Sequence, residues 1–195
     1  MPLLTFPEYE AAAAQAHGHL CAGQILGLRL ALYGVGLLGL DDPAGADRKR
    51  LITYVEIDRC ATDAIAVVTG CRLGKRALKF LDFGKVAATF CDLRDGRAVR
   101  VSALESARDR ARELYPEIAH KNEQQMRAYR EMPDEELFSA QWVKVDVPPQ
   151  DLPGYKAPRV TCEECGEAVS FAREVTAGGR TLCRSCAGAR YYRPA

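Results

Sequence analysis

Apolar and polar residues follow two different periods along the first 147 residues of the chain, and each period predicts a different kind of element. In some segments the apolar side chains recur every three or four residues, as on one face of a helix, and in others they alternate as in a strand. Helices are predicted over residues 7–16, 21–37, 60–70 and 102–114, and Pro116 either ends the last of these or kinks it into a further helix that runs to Arg130. Strands are predicted over residues 51–57, 85–91, 97–101 and 141–147.

Local sequence signals predict where several of these elements begin and end. Gly70 is a typical helix stop. Ser102 and Glu105 match the capping box that opens a helix. The segment Arg94–Arg97 is a hairpin signal between two strands, and residues 133–138 are predicted to form a short turn before the last strand.

One stretch, from Leu20 to Leu40, is apolar enough to raise the question of a membrane span. Gln24 and Arg29 interrupt it, and Arg29 would lie near the bilayer centre at a cost of a few kcal/mol. The stretch is therefore predicted to be a buried core helix, with no membrane association. The first residues also lack the basic start and cleavage site of a signal peptide, so a cytoplasmic location is expected.

Composition limits the classes of function. The chain has 195 residues, 48% of them hydrophobic, which suffices for one ordinary domain and a smaller one. The formal net charge is +1, so binding to nucleic acid or to an anionic membrane would need a local basic patch. The chain contains eight cysteines, and in a reducing compartment metal binding explains them better than disulfides do.

A proline-rich segment predicts the division of the chain. Four prolines lie between residues 147 and 158, which favours an extended and semi-rigid linker. The predicted organisation is a larger domain over 1–147, a linker over 148–160 and a small C-terminal module over 161–195.

The C-terminal module contains two Cys-x2-Cys pairs, Cys162 with Cys165 and Cys183 with Cys186, separated by seventeen residues. Each pair directs two thiolates at one ion, and four thiolates complete the tetrahedron that Zn²⁺ prefers. A site closed by four cysteines is structural, and metal binding supplies the folding energy of so short a module. A hairpin is expected to carry one pair to the other.

The role of this module stays open at the level of sequence. A contact with protein, including self-association, is favoured over a nucleic-acid contact. The latter would use a weak basic excess together with Tyr191, Tyr192 and Arg193.

A second candidate metal site lies near the N-terminus, where His17, His19 and Cys21 alternate between glycines. Imidazole and thiolate are the ligands that zinc and neighbouring transition metals prefer. Cys21 is expected at the start of a helix, where the helix dipole favours the thiolate. The alternative is that the histidines cap helices and the cysteines only pack.

A further cysteine, Cys60, lies where a predicted strand passes into a helix, among the acidic residues Glu56, Asp58 and Asp63. Its position at a helix N-terminus is also expected to favour the thiolate. Cys71 lies about 16 Å further along a regular helix, so it either supports the site or is simply buried. Cys91 is expected to be buried in a strand. A site with three protein ligands would leave a coordination position open, as catalytic sites do.

Four blocks of sequence together resemble the FmdE family, which is named after formylmethanofuran dehydrogenase. The blocks are His17–Gly23, Asp58–Ile65, Thr69–Lys75 and Asp82–Phe90, and the resemblance extends over residues 6–147. It implies an α+β fold, in which a helix, a strand, a helix and three strands form a mixed sheet with extra helices around it. It also implies a homodimer, and many family members have a C-terminal zinc ribbon.

The resemblance also implies a second transition-metal ion, Zn²⁺ or another, bound by the His/Cys motif and the cysteine after the first strand. Carried over to this chain, the candidate ligands are His17, His19, Cys21 and Cys60, and which histidine binds stays open. The residues implied to line or brace the pocket are Asp58, Asp63, Cys71, Lys75 and Lys85. Two positions depart from the family pattern, with Ala22 where proline is usual and Arg72 where threonine is usual.

Three functions follow as hypotheses. The first, implied by the resemblance, is an accessory or maturation protein associated with the subunits of a molybdenum or tungsten formate-type dehydrogenase. In the family that enzyme reduces carbon dioxide onto methanofuran, a methanogenesis-related reaction. The second is a stand-alone metalloenzyme in which Asp63 or Lys75 transfers protons. The third is a regulator that senses metal or binds nucleic acid through the ribbon. Whether the chain is an enzyme stays open.

Overall fold

Residues 4–193 are described by the computed structural model, and they divide into two units between Asp146 and Val147. The helices of the first unit are α1 (Phe6–His17), α2 (Ala22–Leu37), α3 (Cys60–Thr69), α4 (Ser106–Leu114), α5 (Lys121–Glu131) and α6 (Asp134–Leu137). Its strands are β1 (Leu51–Val55), β2 (Leu78–Phe80), β3 (Ala87–Asp92), β4 (Ala98–Ala103) and β5 (Phe138–Val143). Residues 1–3 of the predicted first domain and 194–195 of the predicted zinc module lie outside the described residues.

The five strands form one mixed sheet in the order β2-β1-β3-β4-β5. β1 and β2 are parallel and the three other pairs are antiparallel. The expected α+β fold with a mixed sheet is therefore confirmed. The sequence pattern did not predict β2, whose three residues pair with Thr53–Val55 of β1 after the chain has crossed over through α3.

The core lies between the sheet and α2, which packs against α3, α5, β3 and β4. Ile25, Leu28 and Val35 of α2 are fully buried, as is Phe90 of β3. Two glycines permit this close packing. At Gly27 a Cβ atom would lie 2.5 Å from the carbonyl oxygen of Ala61, and at Gly34 it would lie 2.3 Å from the Phe90 ring.

The polar residues of α2 are held inside the protein, as expected for a core helix. The Gln24 amide donates to the carbonyl of Ala13 at 2.9 Å. The Arg29 guanidinium donates to the carbonyls of Tyr129 and Met132 at 2.7 and 2.8 Å and to the Asp134 carboxylate at 2.7 Å. Among residues 4–193, every helix is too short or too polar to cross a lipid bilayer.

One predicted helix start is wrong and another was not recognised. Ser102 belongs to β4, where it pairs with Ser139 of β5, and α4 begins only after Glu105. The capping box occurs instead at α1, where the Glu8 carboxylate accepts from the backbone N–H of Thr5 at 2.7 Å. The same short pattern therefore opens a helix only where the preceding residues are not held in a sheet.

Other predicted ends move by a few residues. Pro116 ends a helix, but α5 begins only at Lys121, after the N-cap residue His120. In the segment between the two helices, the carbonyls of Tyr115 and Ile118 accept from the Gln124 amide. The predicted turn over residues 133–138 contains α6 and the first residue of β5. The last strand consequently begins and ends earlier than predicted. Gly70 does end α3, in a left-handed conformation with φ 64°.

The second unit consists of two small hairpins, β6 (Val160–Thr161) with β7 (Ala168–Val169) and β8 (Val175–Ala177) with β9 (Arg180–Leu182). A helical turn over Ser185–Ala189 follows.

The proline-rich segment is less extended than predicted. Pro149–Asp151 forms a turn of 3-10 helix, and the Arg173 guanidinium binds the Asp151 carboxylate. This part of the segment is therefore attached to the hairpins of the second unit.

Candidate metal centre

The His/Cys motif occupies the junction between α1 and α2. His17 is the last residue of α1, and Gly18 turns the chain with φ 94° while its N–H donates to the carbonyl of Ala14. Cys21 is the extended residue that precedes α2. One ligand atom from each of His17, His19 and Cys21 can be chosen so that all three lie within 4.8 Å of one another. Two imidazoles and a thiol at this spacing fit a transition-metal ion such as Zn²⁺.

A carboxylate from α3 holds one of the two histidines. The Nδ1 atom of His17 lies 2.7 Å from an oxygen of Asp63, in the first turn of α3. This contact leaves Nε2 as the His17 nitrogen available to a metal ion. A carboxylate in this position is the usual second partner of a metal-binding histidine.

Cys60 lies beside Cys21, although it is not one of the three clustered residues. Both sulfur atoms flank Gly23, where a Cβ atom would be 3.8 Å from the Cys21 Sγ and 3.9 Å from the Cys60 Sγ. Contrary to the expected activation, burial raises the pKa of the Cys60 thiol, and the neighbouring Cys21 raises it further. A thiolate at Cys60 therefore needs a nearby cation, which a bound metal ion would supply.

Two clefts open at this site. The first, of about 400 Å³, has a mostly apolar lining. Its lining residues are His17, Val55, Asp58, Arg59, Cys60, Thr62, Asp63, Leu73, Leu78 and Phe80. The second, of about 660 Å³, is lined by Cys21 and shares Asp58, Arg59 and Cys60 with the first. A concave, largely apolar surface with a few convergent polar groups is typical of ligand-binding sites.

The residues predicted to line or brace the pocket are only partly brought together. Asp58 and Asp63 line the first cleft, whereas Lys75 is exposed on a 3-10 turn outside its lining. Lys85 lines a different cleft, together with Arg100.

Cys71 is fully buried, where the hydroxyl of Thr53 donates to its sulfur and the Leu51 carbonyl lies 3.7 Å away. Cys91 is buried in β3 as expected, and burial raises its pKa to about 12. Both thiols therefore stay protonated and lie apart from the cluster.

One residue near the site was missed because it lies far away in sequence. The side-chain oxygen of Asn122 accepts from the backbone N–H of Ala22 at 2.8 Å and so caps the start of α2 beside Cys21. This bond uses the N–H that a proline at position 22 would lack. Alanine at position 22, where the resemblance implies proline, therefore leaves an N–H that binds Asn122.

The four cysteines of the second unit converge on one point. Their sulfur atoms lie within 4.8 Å of one another, and those of Cys165 and Cys183 are 3.9 Å apart. Four thiolates around Zn²⁺ at the usual bond length would be about 3.8 Å apart. Backbone N–H groups of Cys165 and Cys183 lower the pKa of Cys162, whereas burial and the neighbouring thiols raise the pKa of Cys186. A cation is needed before all four can ionise together.

Two family models match the chain. A model described as FmdE, molybdenum formylmethanofuran dehydrogenase operon, matches residues 16–139. A model of the prokaryotic dksA/traR C4-type zinc finger matches residues 156–192. The second match and the four converging cysteines support a structural zinc ion in this module.

The chain is also similar to individual proteins. A probable S-adenosyl-L-methionine-binding protein of Archaeoglobus fulgidus is 33% identical over 199 residues, which cover 92% of this chain and 52% of that protein. The chain thus spans about half the length of this relative. A crystal structure of a tungsten formylmethanofuran dehydrogenase FmdE-like protein from Syntrophus aciditrophicus has a TM-score of 0.65 at 22% identity, covering 97% of this chain and 96% of the other. That likeness shows a shared fold.

Proposed function

The chain belongs to the FmdE family, and from this premise we propose that it is a metal-binding accessory protein of a molybdenum or tungsten formylmethanofuran dehydrogenase that takes part in the enzyme's maturation. The family model supports the link to a dehydrogenase operon. The metal-binding part of the proposal rests on the residues of this chain.

The observation that carries the proposal is the cluster of His17, His19 and Cys21 within the region matched by the family model. His17 is oriented by Asp63, and the cluster opens into clefts rather than being enclosed. Three donors with Cys60 beside them suit an ion that is bound with an accessible position. The closed four-cysteine site would hold the second unit together instead.

An accessible ion of this kind suits an accessory role. An ion bound by three or four protein ligands beside an open cleft can be reached by a partner's side chain, whereas an ion enclosed by four cysteines cannot. In this proposal Asp63 orients His17, and Cys60 accompanies Cys21 as a further thiol ligand.

The proposal is tested in a strain that makes the dehydrogenase. We expect deletion of this chain to lower dehydrogenase activity and the molybdenum or tungsten content of the purified enzyme. The wild-type chain should restore both, and a Cys21→Ser variant should not. A Cys91→Ala variant is the matched control, since it removes a buried cysteine outside the cluster. Unchanged dehydrogenase activity and metal content after the deletion would exclude an accessory role.

A stand-alone metalloenzyme is a second candidate, favoured by the cleft of about 400 Å³ beside His17 and Cys60. In that case the chain substituted with Co²⁺ should bind small anions such as azide at its N-terminal site and change its visible spectrum. A spectrum that does not respond to azide would indicate a closed ion and exclude this candidate.

A further inference from the structure

One segment next to the candidate metal centre, residues 72–85, exposes several large apolar side chains. Leu73 is 65% exposed, Phe83 60%, Leu81 46% and Phe80 42%. Single exposed apolar residues are ordinary on protein surfaces, but several in one short segment are typical of an interaction site.

Backbone hydrogen bonds fix this segment in its exposed position. The N–H groups of Leu81 and Phe83 donate to the carbonyls of Val55 and Glu56 at 3.0 and 3.1 Å. The N–H of Lys85 also donates to the Glu56 carbonyl at 3.1 Å. Phe80 belongs to β2 at the edge of the sheet. The apolar side chains are therefore presented by a fixed backbone, which lowers the entropic cost of binding.

The charges in the segment are mostly positive. Arg72, Lys75 and Lys85 are exposed. The single carboxylate in the segment, that of Asp82, accepts a hydrogen bond from the backbone N–H of Gly84. A segment that combines exposed apolar side chains with an excess of cations complements a partner surface that is apolar and acidic.

A second copy of the chain fits this segment poorly. In a symmetric dimer the same patch is present on both subunits, so a patch that carries Arg72, Lys75 and Lys85 would meet a patch of the same positive sign. Like charges that meet across an interface oppose binding. The occupant is therefore a different protein with an acidic surface.

The position of the segment connects it with the metal centre. Leu73 and Phe80 line the same cleft as His17 and Cys60. A protein bound to residues 72–85 would therefore cover the mouth of that cleft.

We propose that residues 72–85 are the docking surface for an acidic, partly apolar face of the dehydrogenase, which on binding covers the cleft at the candidate metal centre. This inference rests on the function proposed above. Phe83 and Leu73 supply the apolar anchors, and the exposed cations attract and orient the partner.

The test measures binding of the full-length chain to the purified dehydrogenase by titration calorimetry at two salt concentrations. A Leu73→Ser, Phe83→Ser double variant should bind at least about tenfold more weakly than the wild type, because both anchors are lost. Lys75→Glu should also weaken binding and reduce its salt dependence. Trp142→Ser is the control, because Trp142 is 55% exposed on β5 at the opposite edge of the sheet. It should bind like the wild type.

The outcomes separate this inference from the proposed function. If the wild-type chain binds the dehydrogenase and the segment variants bind equally well, the docking surface is wrong while the accessory role stands. If the wild type does not bind the dehydrogenase, both fail. If the variants become monomeric where the wild type is a dimer, the segment serves self-association and the inference is overturned. If the variants lose binding to anionic lipid vesicles but not to the dehydrogenase, the segment binds a membrane and the inference is likewise overturned.

Discussion

The Nδ1 atom of His17 lies 2.7 Å from the Asp63 carboxylate, although the two residues are 46 positions apart. The contact joins the last residue of α1 to the first turn of α3. It places a hydrogen on Nδ1 and therefore leaves the Nε2 lone pair for a metal ion. The orientation of the candidate ligand thus depends on how these two helices meet.

We predict that Asp63→Asn weakens metal binding at the N-terminal site by about 10- to 100-fold, because the ring of His17 is no longer held by a carboxylate. Competition between the protein and a chromophoric chelator for Zn²⁺ measures this affinity. Asp58→Asn is the matched control, since Asp58 lines the same cleft and makes no contact with His17 among the described hydrogen bonds. Equal loss in both variants would show that only the charge of the cleft matters.

We predict that Cys183→Ser lowers the zinc content of the chain by one ion and unfolds the second unit, because the remaining thiols no longer close the site. Elemental analysis gives the stoichiometry, and the amide signals of β6–β9 in an NMR spectrum report the folding of that unit. Cys91→Ala, which removes a thiol from β3, should leave the zinc content unchanged. A folded second unit in the zinc-depleted chain would contradict a structural role for the ion.

The sequence predicts the parts of the fold and site that depend on neighbouring residues. The end of α3 at Gly70 requires only a residue that tolerates positive φ. The ligand atoms of the His17–Cys21 motif lie close together because one short turn contains all of them. The parts that were missed depend on distant partners. β2 has too few residues to form a pattern of its own, and it exists because β1 offers an edge.

The residues around the candidate site likewise come from distant parts of the chain, so the sequence near the site does not predict them. Asn122 caps α2 from a helix 100 residues away, and no signal around either position predicts that contact. Phe80 forms a cleft wall only because β2 lies beside β1. The Ser102 and Glu105 pattern shows the opposite case. The local pattern predicts a helix start, but Ser102 pairs with Ser139 in the sheet instead.

We predict that the first unit loses stability in acid through the Arg50–Asp92 ion pair. Asp92 is almost fully buried in β3, and the hydrogen bond from Arg50 lowers its pKa from the usual 3.8. A lowered carboxyl pKa adds stability above the unfolded-state value, and this stability disappears as the pH falls below 3.8 and through the folded-state value.

The test compares urea unfolding of the wild type and Asp92→Asn between pH 7 and pH 2, followed by the helical circular dichroism signal. The wild type should be the more stable at pH 7, and the two curves should converge in acid. Asp146→Asn changes a carboxylate whose side chain is 92% exposed, and its curve should run parallel to the wild type. A difference between wild type and Asp92→Asn that stays constant to pH 2 would contradict the ion pair as its source.

Two glycines of α2 give opposite predictions for the same substitution. At Gly34 a Cβ atom would lie 2.3 Å from two ring atoms of Phe90, which is fully buried and cannot move aside. At Gly36 it would meet no atom within 4 Å. We expect Gly34→Ala to lower the free energy of unfolding by about 2 kcal/mol through overpacking. Gly36→Ala should raise it by up to about 1 kcal/mol, since alanine favours the helix. Urea unfolding of both variants measures the two shifts, and equal stabilisation by both would show that α2 does not pack on Phe90 this closely.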